Sequence, residues 1–264
     1  MAKRFADYQF ARQPTAESAL RMGWLTWLFA AILIANGWAL HGQAQEVPEI
    51  ARTNLPLKRL GPGLFELGRV RFNKEERTVR FPAQINQTDG PIEYLIVTGY
   101  GKTHESLLRT AAEPYHIQLA LLLLGGDSAG TNAFPNDATA PLPGEPVRIE
   151  LNWRIDGKEK QAPAEQFVYN LQTKKMMSQG EWVYTGSRVV GGSFVAQQDG
   201  SIASIMLDPD AMINNPRPGR ENDKIWQVLS NGLPAINSPV EVIIRLKPPN
   251  SHITPAQRKD PAQL

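Results

Sequence analysis

The chain has 264 residues, 28 Lys and Arg against 26 Asp and Glu, four His and no Cys. The missing thiols exclude disulfides, thiolate zinc sites, cysteine nucleophiles and iron–sulfur clusters. Four of the cations and two of the acids fall in residues 1–44, which leaves 24 of each and a neutral remainder without the basic surface that nucleic-acid binding needs.

Residues 1–44 read as a secretory signal. Lys3, Arg4, Arg12 and Arg21 form a basic start, and Gly23–Leu40 is an uncharged apolar stretch. Gly42 and Ala44 then supply the small residues of a cleavage site after Ala44. An uncleaved N-terminal anchor is the alternative, since the stretch is at the lower edge of a membrane span, and it would be the only membrane contact. The location expected is the periplasm or cell envelope.

Gln45–Arg59 contains Pro48 and Pro56 without periodicity and reads as a linker. After the turn Gly61-Pro62-Gly63, Leu64–Phe72 and Thr78–Ala83 read as strands around the charged turn Asn73–Arg77. Val79, Phe81 and Ala83 alternate with Arg80 and Pro82, and Pro82 marks an edge. Ile92–Thr98 is apolar enough for a central strand. A helix is expected from Pro114, favoured at the first helical position, to Leu124, with Gly125 as its stop. Its leucines leave no polar face, which predicts burial.

Residues 126–146 form a long polar loop. Val147–Ile155 alternates and runs into Asp156-Gly157, a hairpin signal. Gly180–Val190 reads as a strand carrying Trp182 and Tyr184. A second hairpin is predicted for Ser193–Gln198 and Ser201–Leu207 around Asp199-Gly200. Asp208-Pro209 and Asn222-Asp223 look like N-caps of short helices near 209–213 and 223–229. Val240–Lys247 is the last strand, and the proline-rich tail 248–264 reads as disordered. The expected fold class is α+β: mainly antiparallel β hairpins around one buried apolar helix, in a single domain over 60–247. Two β-rich halves, 60–125 and 147–247, are the alternative.

Chemistry-bearing residues cluster at the hinge after Thr98. His104, Glu105 and His116 are zinc-type ligands, and Ser106 stands two residues from His104. The spacing matches no zincin pattern and there is no Gly-x-Ser-x-Gly elbow. The plainer role for these groups is satisfying turn and helix-end backbone. A second, oxygen-rich cluster holds Asp208, Asp210, Asn222 and Asp223, suited to Ca²⁺ or equally to helix capping. No catalytic set is complete, and no cofactor is called for beyond a possible divalent metal.

Gly101-Lys-Thr-His104-Glu105-Ser106-Leu-Leu, Pro114-Tyr-His116 and Ala120-Leu-Leu-Leu-Leu-Gly125 together resemble the YdjY-like domain of exported bacterial proteins. Trp182-Val-Tyr-Thr-Gly-Ser187, Phe194-Val-Ala, Asp199-Gly200, Asp208-Pro-Asp and Asn222-Asp223 before Trp226 extend the resemblance over about 60–248. It implies one exported domain and supplies no catalytic residues. A ferredoxin-like label attached to some relatives does not suit a cysteine-free chain. The functional expectation is a non-catalytic binding or structural module that meets an envelope protein or small ligand. The alternative is a metal-binding protein or metal-dependent hydrolase using His104, Glu105 and His116.

Overall fold

The computed structural model describes residues 57–128, 134–135 and 137–248. The leader, most of the linker and the tail lie outside them. Seventeen strands follow in chain order: β1 Lys58–Gly61, β2 Leu64–Leu67, β3 Val70–Asn73, β4 Thr78–Ile85, β5 Tyr94–Thr98, β6 Ser106–Thr110, β7 Glu145–Ile155, β8 Lys158–Pro163 and β9 Val168–Asn170. The rest are β10 Lys175–Met176, β11 Trp182–Tyr184, β12 Val189–Val190, β13 Ser193–Phe194, β14 Ser201–Ser204, β15 Ile213–Asn214, β16 Trp226–Val228 and β17 Pro239–Leu246.

Eight of these close on themselves in the order β4-β17-β7-β11-β15-β14-β5-β6, with the β4–β6 pairing completing a barrel. The period-two pattern explains its wall. Val79, Phe81, Ala83 and Ile85 of β4 alternate into the core, as do Val147, Ile149, Leu151 and Trp153 of β7. Val240, Val242, Ile244 and Leu246 of β17 do the same from between those two strands. Closure removes the unpaired edges that an open sheet would expose. The β1-β2-β3 meander extends from β4, and β9, β10 and β16 form a separate sheet.

This overturns the expectation of an α+β fold around a buried helix. The core is made mostly of strand side chains, and the helix adds only one side of itself to it. The helix Pro114–Leu123 packs against β3 and β4 with Ile117, Ala120 and Leu121 buried, while Tyr115, Leu122 and Leu123 are exposed. Arg77 holds its end: Nε donates to the Leu124 carbonyl at 3.3 Å and Nη2 to the Gly125 carbonyl at 3.2 Å. Nη1 of the same side chain lies 3.2 Å from Glu145.

The other departures have equally local causes. Asp156 (φ 50°) and Gly157 (φ 74°) do make the β7–β8 hairpin. Asp199-Gly200 does not make another. It ends a short helix, Val195–Asp199, with Gly200 as a left-handed cap at φ 72°. Nor do helices form at 209–213 or 223–229. Asp208 Oδ1 accepts the Asp210 N–H at 2.8 Å, and Asn222 Oδ1 accepts the Lys224 N–H at 3.0 Å. Each would-be cap closes an Asx turn, and the chain goes on into β15 or β16. Gly68, at φ 57°, splits the expected strand Leu64–Phe72 into β2 and β3.

Candidate functional site

Two of the barrel's joints are parallel, β5–β6 and β14–β15. Each needs a connection that returns along the barrel, and these are short: residues 99–105 and 205–212. The two returns meet over Tyr94 at the start of β5. Tyr94 Oη donates to Asp208 Oδ2 at 2.8 Å. Lys102 lies over the Tyr94 ring, 4.6 Å from its centre, and donates to the same phenol oxygen. Burial, then the Asp208 carboxylate, hold the Tyr94 hydroxyl well above the ordinary phenol range. Asp210 in turn receives Arg188 through two bonds of 2.6 and 2.8 Å.

The parallel pairing also sets Glu93 and Glu105 together, because each immediately precedes the start of one strand or its lead-in. Glu93 N–H donates to the Glu105 carbonyl at 2.9 Å. Asn86 fixes the other side of this turn, donating through Nδ2 to the Ser106 carbonyl at 2.8 Å and to the Thr103 carbonyl. Pro91, Glu93, His104, Glu105, Asp223 and Lys224 then line a groove of about 450 Å³. Burial raises the proton affinity of Glu93, and the carboxylates of Glu105 and Asp223 raise it further, while Lys102 and His104 oppose them.

The residues singled out from sequence are therefore redistributed. His104 and Glu105 share the groove, with His104 Nε2 3.5 Å from Glu105 Oε2 and its ring 78% exposed. Ser106 is fully buried, and its hydroxyl donates to the Lys102 carbonyl. His116 is elsewhere. It lies beyond the far end of β6, so roughly 13 Å of strand, at about 3.3 Å per residue, separates it from His104. Its Nδ1 sits beside Gly68, and burial lowers its pKa. His104, Glu105 and His116 do not form one three-ligand set. Among the described residues no group of three or more His, Asp or Glu is disposed to hold a metal. The second cluster is also divided: Asp208 and Asp210 are engaged by Tyr94 and Arg188, whereas Asp223 faces the groove.

A model of the YdjY domain matches residues 70–245. The chain belongs to the YdjY domain family. Neither the curated proteins nor the solved structures contain a match. The matched span runs from the start of β3 to Arg245 in β17, so all eight barrel strands and both return connections fall within the YdjY domain.

Sequence reasoning missed four residues of this YdjY domain's polar face: Asn86, Glu93, Tyr94 and Lys102. One signal for Glu93 was present. It stands directly before an apolar strand, as Glu105 does, but only the parallel pairing of those strands makes them neighbours. A further link was equally silent. Gln197 joins the short helix to the longer one, its Oε1 accepting the Tyr115 N–H at 2.9 Å and its Nε2 donating to Tyr100 Oη at 2.9 Å and to Glu113.

Proposed function

We propose that this YdjY domain is a non-catalytic, exported binding module of the cell envelope whose ligand face is the groove of Glu93, His104, Glu105 and Asp223. The observation that carries the reading is the juxtaposition of Glu93 and Glu105 in an open groove on a closed barrel. Like charges so placed repel one another, and a positively charged group entering between them relieves that repulsion. The ligand class is therefore a small organic cation or the basic side chains of an envelope protein. A serine-nucleophile reading gains no support from Ser106, whose hydroxyl is enclosed and donates to the Lys102 carbonyl.

The test is an NMR titration of the full chain with a tri-lysine peptide, followed through the backbone amides of residues 91–93, 104–105 and 223–224. Saturable shifts that weaken about tenfold in Glu105→Gln support the reading. No saturation, or identical binding by the variant, removes it. Elemental analysis provides a separate arm. Stoichiometric metal in the purified chain, lost in His104→Ala, would replace the non-catalytic module with a metal protein.

A further inference from the structure

One edge of β4 is shared between two neighbours. Residues 78–80 pair with β3, and residues 84 and 85 pair with β6, while β17 covers the opposite edge throughout. Phe81, Pro82 and Ala83 thus have no strand partner on the shared edge, and the wall of the barrel carries a gap there. Pro82 suits it, since it brings no N–H that would go unpaired. Its carbonyl is satisfied by Thr110 Oγ1, which donates at 2.6 Å and itself accepts the Ala112 N–H at 2.9 Å.

The gap is a cavity of about 280 Å³ lined by Arg69, Pro82, Ala83, Gln84, Gly99, Arg109, Thr110 and Ala111. Its only charged lining residues are the two arginines. Arg109 is oriented by neutral amide oxygens, Nε donating to Gln84 at 3.3 Å and Nη2 to Asn237 at 2.8 Å. Arg69 is exposed at the turn between β2 and β3. Among the described residues neither guanidinium has a carboxylate within 4.0 Å, as is also true of Arg59, Arg148, Arg154 and Arg220 and unlike Arg71, Arg77, Arg80, Arg188, Arg217 and Arg245.

We propose that this gap is a carboxylate-binding subsite that takes a small organic monoanion. Arg69 and Arg109 bind the carboxylate, and the apolar part of the ligand rests on Pro82, Ala83 and Ala111. A guanidinium presents parallel N–H donors that match the two oxygens of a carboxylate. The one hydroxyl in the cavity, on Thr110, is already committed both as donor and as acceptor, the Gln84 amide oxygen is taken by Arg109, and Pro82, Ala83 and Ala111 supply apolar wall. That lining favours a flat anion with an apolar body over a fully hydrated phosphate. The subsite lies at the C-terminal ends of β5 and β6, beside Gly99 and Ala111, and is independent of the acidic groove at their N-terminal ends.

The experiment is a titration of the ¹⁵N-labelled full chain with benzoate, benzyl alcohol and inorganic phosphate, read at the amides of Gly99, Arg109, Thr110 and Ala111. Saturable shifts with benzoate are expected, with benzyl alcohol and phosphate each at least about tenfold weaker, the scale of a charged hydrogen bond. Arg69→Ala, which removes an exposed side chain and leaves the amide spectrum elsewhere unchanged, is expected to weaken benzoate about tenfold. Arg109→Lys retains the charge without the fork and is expected to weaken it too. Absence of saturation, equal binding of benzyl alcohol, phosphate as tight as benzoate, or unchanged affinity in Arg69→Ala would each overturn the subsite.

Discussion

Glu93 and Glu105 are twelve positions apart in the chain and directly bonded through their backbones, the Glu93 N–H donating to the Glu105 carbonyl at 2.9 Å. The contact follows from the parallel run of β5 and β6, which brings together whatever precedes each strand. Their carboxylates line one groove with Asp223, and that proximity has a pH consequence.

Glu93 binds its proton more tightly in the folded chain than a free carboxyl does, through burial and then through Glu105 and Asp223. The folded state therefore holds more protons than the unfolded one as pH rises from the ordinary value of 4.5 to the raised one. Stability falls across that window and the deficit persists above it. Glu93→Gln should consequently have a higher melting temperature than the parent at pH 8, with the advantage shrinking towards pH 4. Calorimetry at both pH values checks this. An advantage of the same size at each pH would show that Glu93 acts through packing and not through charge.

Arg217 and Glu165 form a buried ion pair, Nη2 to Oε1 at 2.8 Å, and the same Oε1 accepts the Trp182 indole N–H at 2.9 Å. Arg217→Met leaves a buried carboxylate without its cation and should cost about 3–5 kcal/mol. The double variant Glu165→Gln with Arg217→Met keeps an acceptor for Trp182 and removes both charges. It should recover a large part of that loss. Urea denaturation of the two variants decides the matter, and a double variant no more stable than the single one contradicts this account.

The helix Pro114–Leu123 separates two leucines of different standing. Leu121 is fully buried and Leu122 is 47% exposed. Leu121→Ala should cost about 2–5 kcal/mol, while Leu122→Glu should stay within about 0.5 kcal/mol. A wholly enclosed helix would make both changes severe, so a large penalty for Leu122→Glu would restore the expectation drawn from sequence.

Gly200 ends the short helix at φ 72°, and its carbonyl accepts the Thr98 N–H at 2.8 Å. A Cβ there would meet Thr98 Oγ1 and the backbone of Gly101. Gly200→Ala therefore combines a left-handed conformation with a clash against β5 and its return connection, and should cost more than about 2 kcal/mol. Hydrogen exchange at Thr98 and Gly101 should accelerate in the variant. Unchanged protection there would mean that the neighbourhood can move aside.

How much of this was legible can be argued strand by strand. Side-chain alternation exposed β4 and β7, since each has one face in the core. Asp156-Gly157 announced its turn, whereas Pro82 marks only a local gap, since β4 has partners on both sides and is no edge strand. Alternation says nothing about which strands are neighbours or which way they run, so barrel closure and both parallel joints were hidden. Asp-Gly serves a hairpin and a helix end equally well, because both want a glycine at positive φ, and Asp199-Gly200 was misread for that reason. The candidate site suffered from the same gap. His104 and Glu105 were visible as a local cluster, but Glu93, Tyr94 and Asp223 reach them only through pairing. His116 joins them by residue type alone, and the length of β6 carries it away from His104.

The place of β17 has a bearing on the order of events when the chain folds. It is the last strand among the described residues, yet it pairs with β4 along Pro239–Arg245 and with β7 along Glu241–Leu246. The Arg80–Glu241 contact on this seam joins residues 161 apart. Contacts of such separation are slow to form, and here the wall cannot be completed while the last strand is missing. Synthesis runs from the N-terminus, so the earlier strands must wait without a finished barrel until Pro239–Leu246 has emerged. β17 is thus a latch: until it is seated between β4 and β7, the other strands of the wall have no closed partner order to settle into.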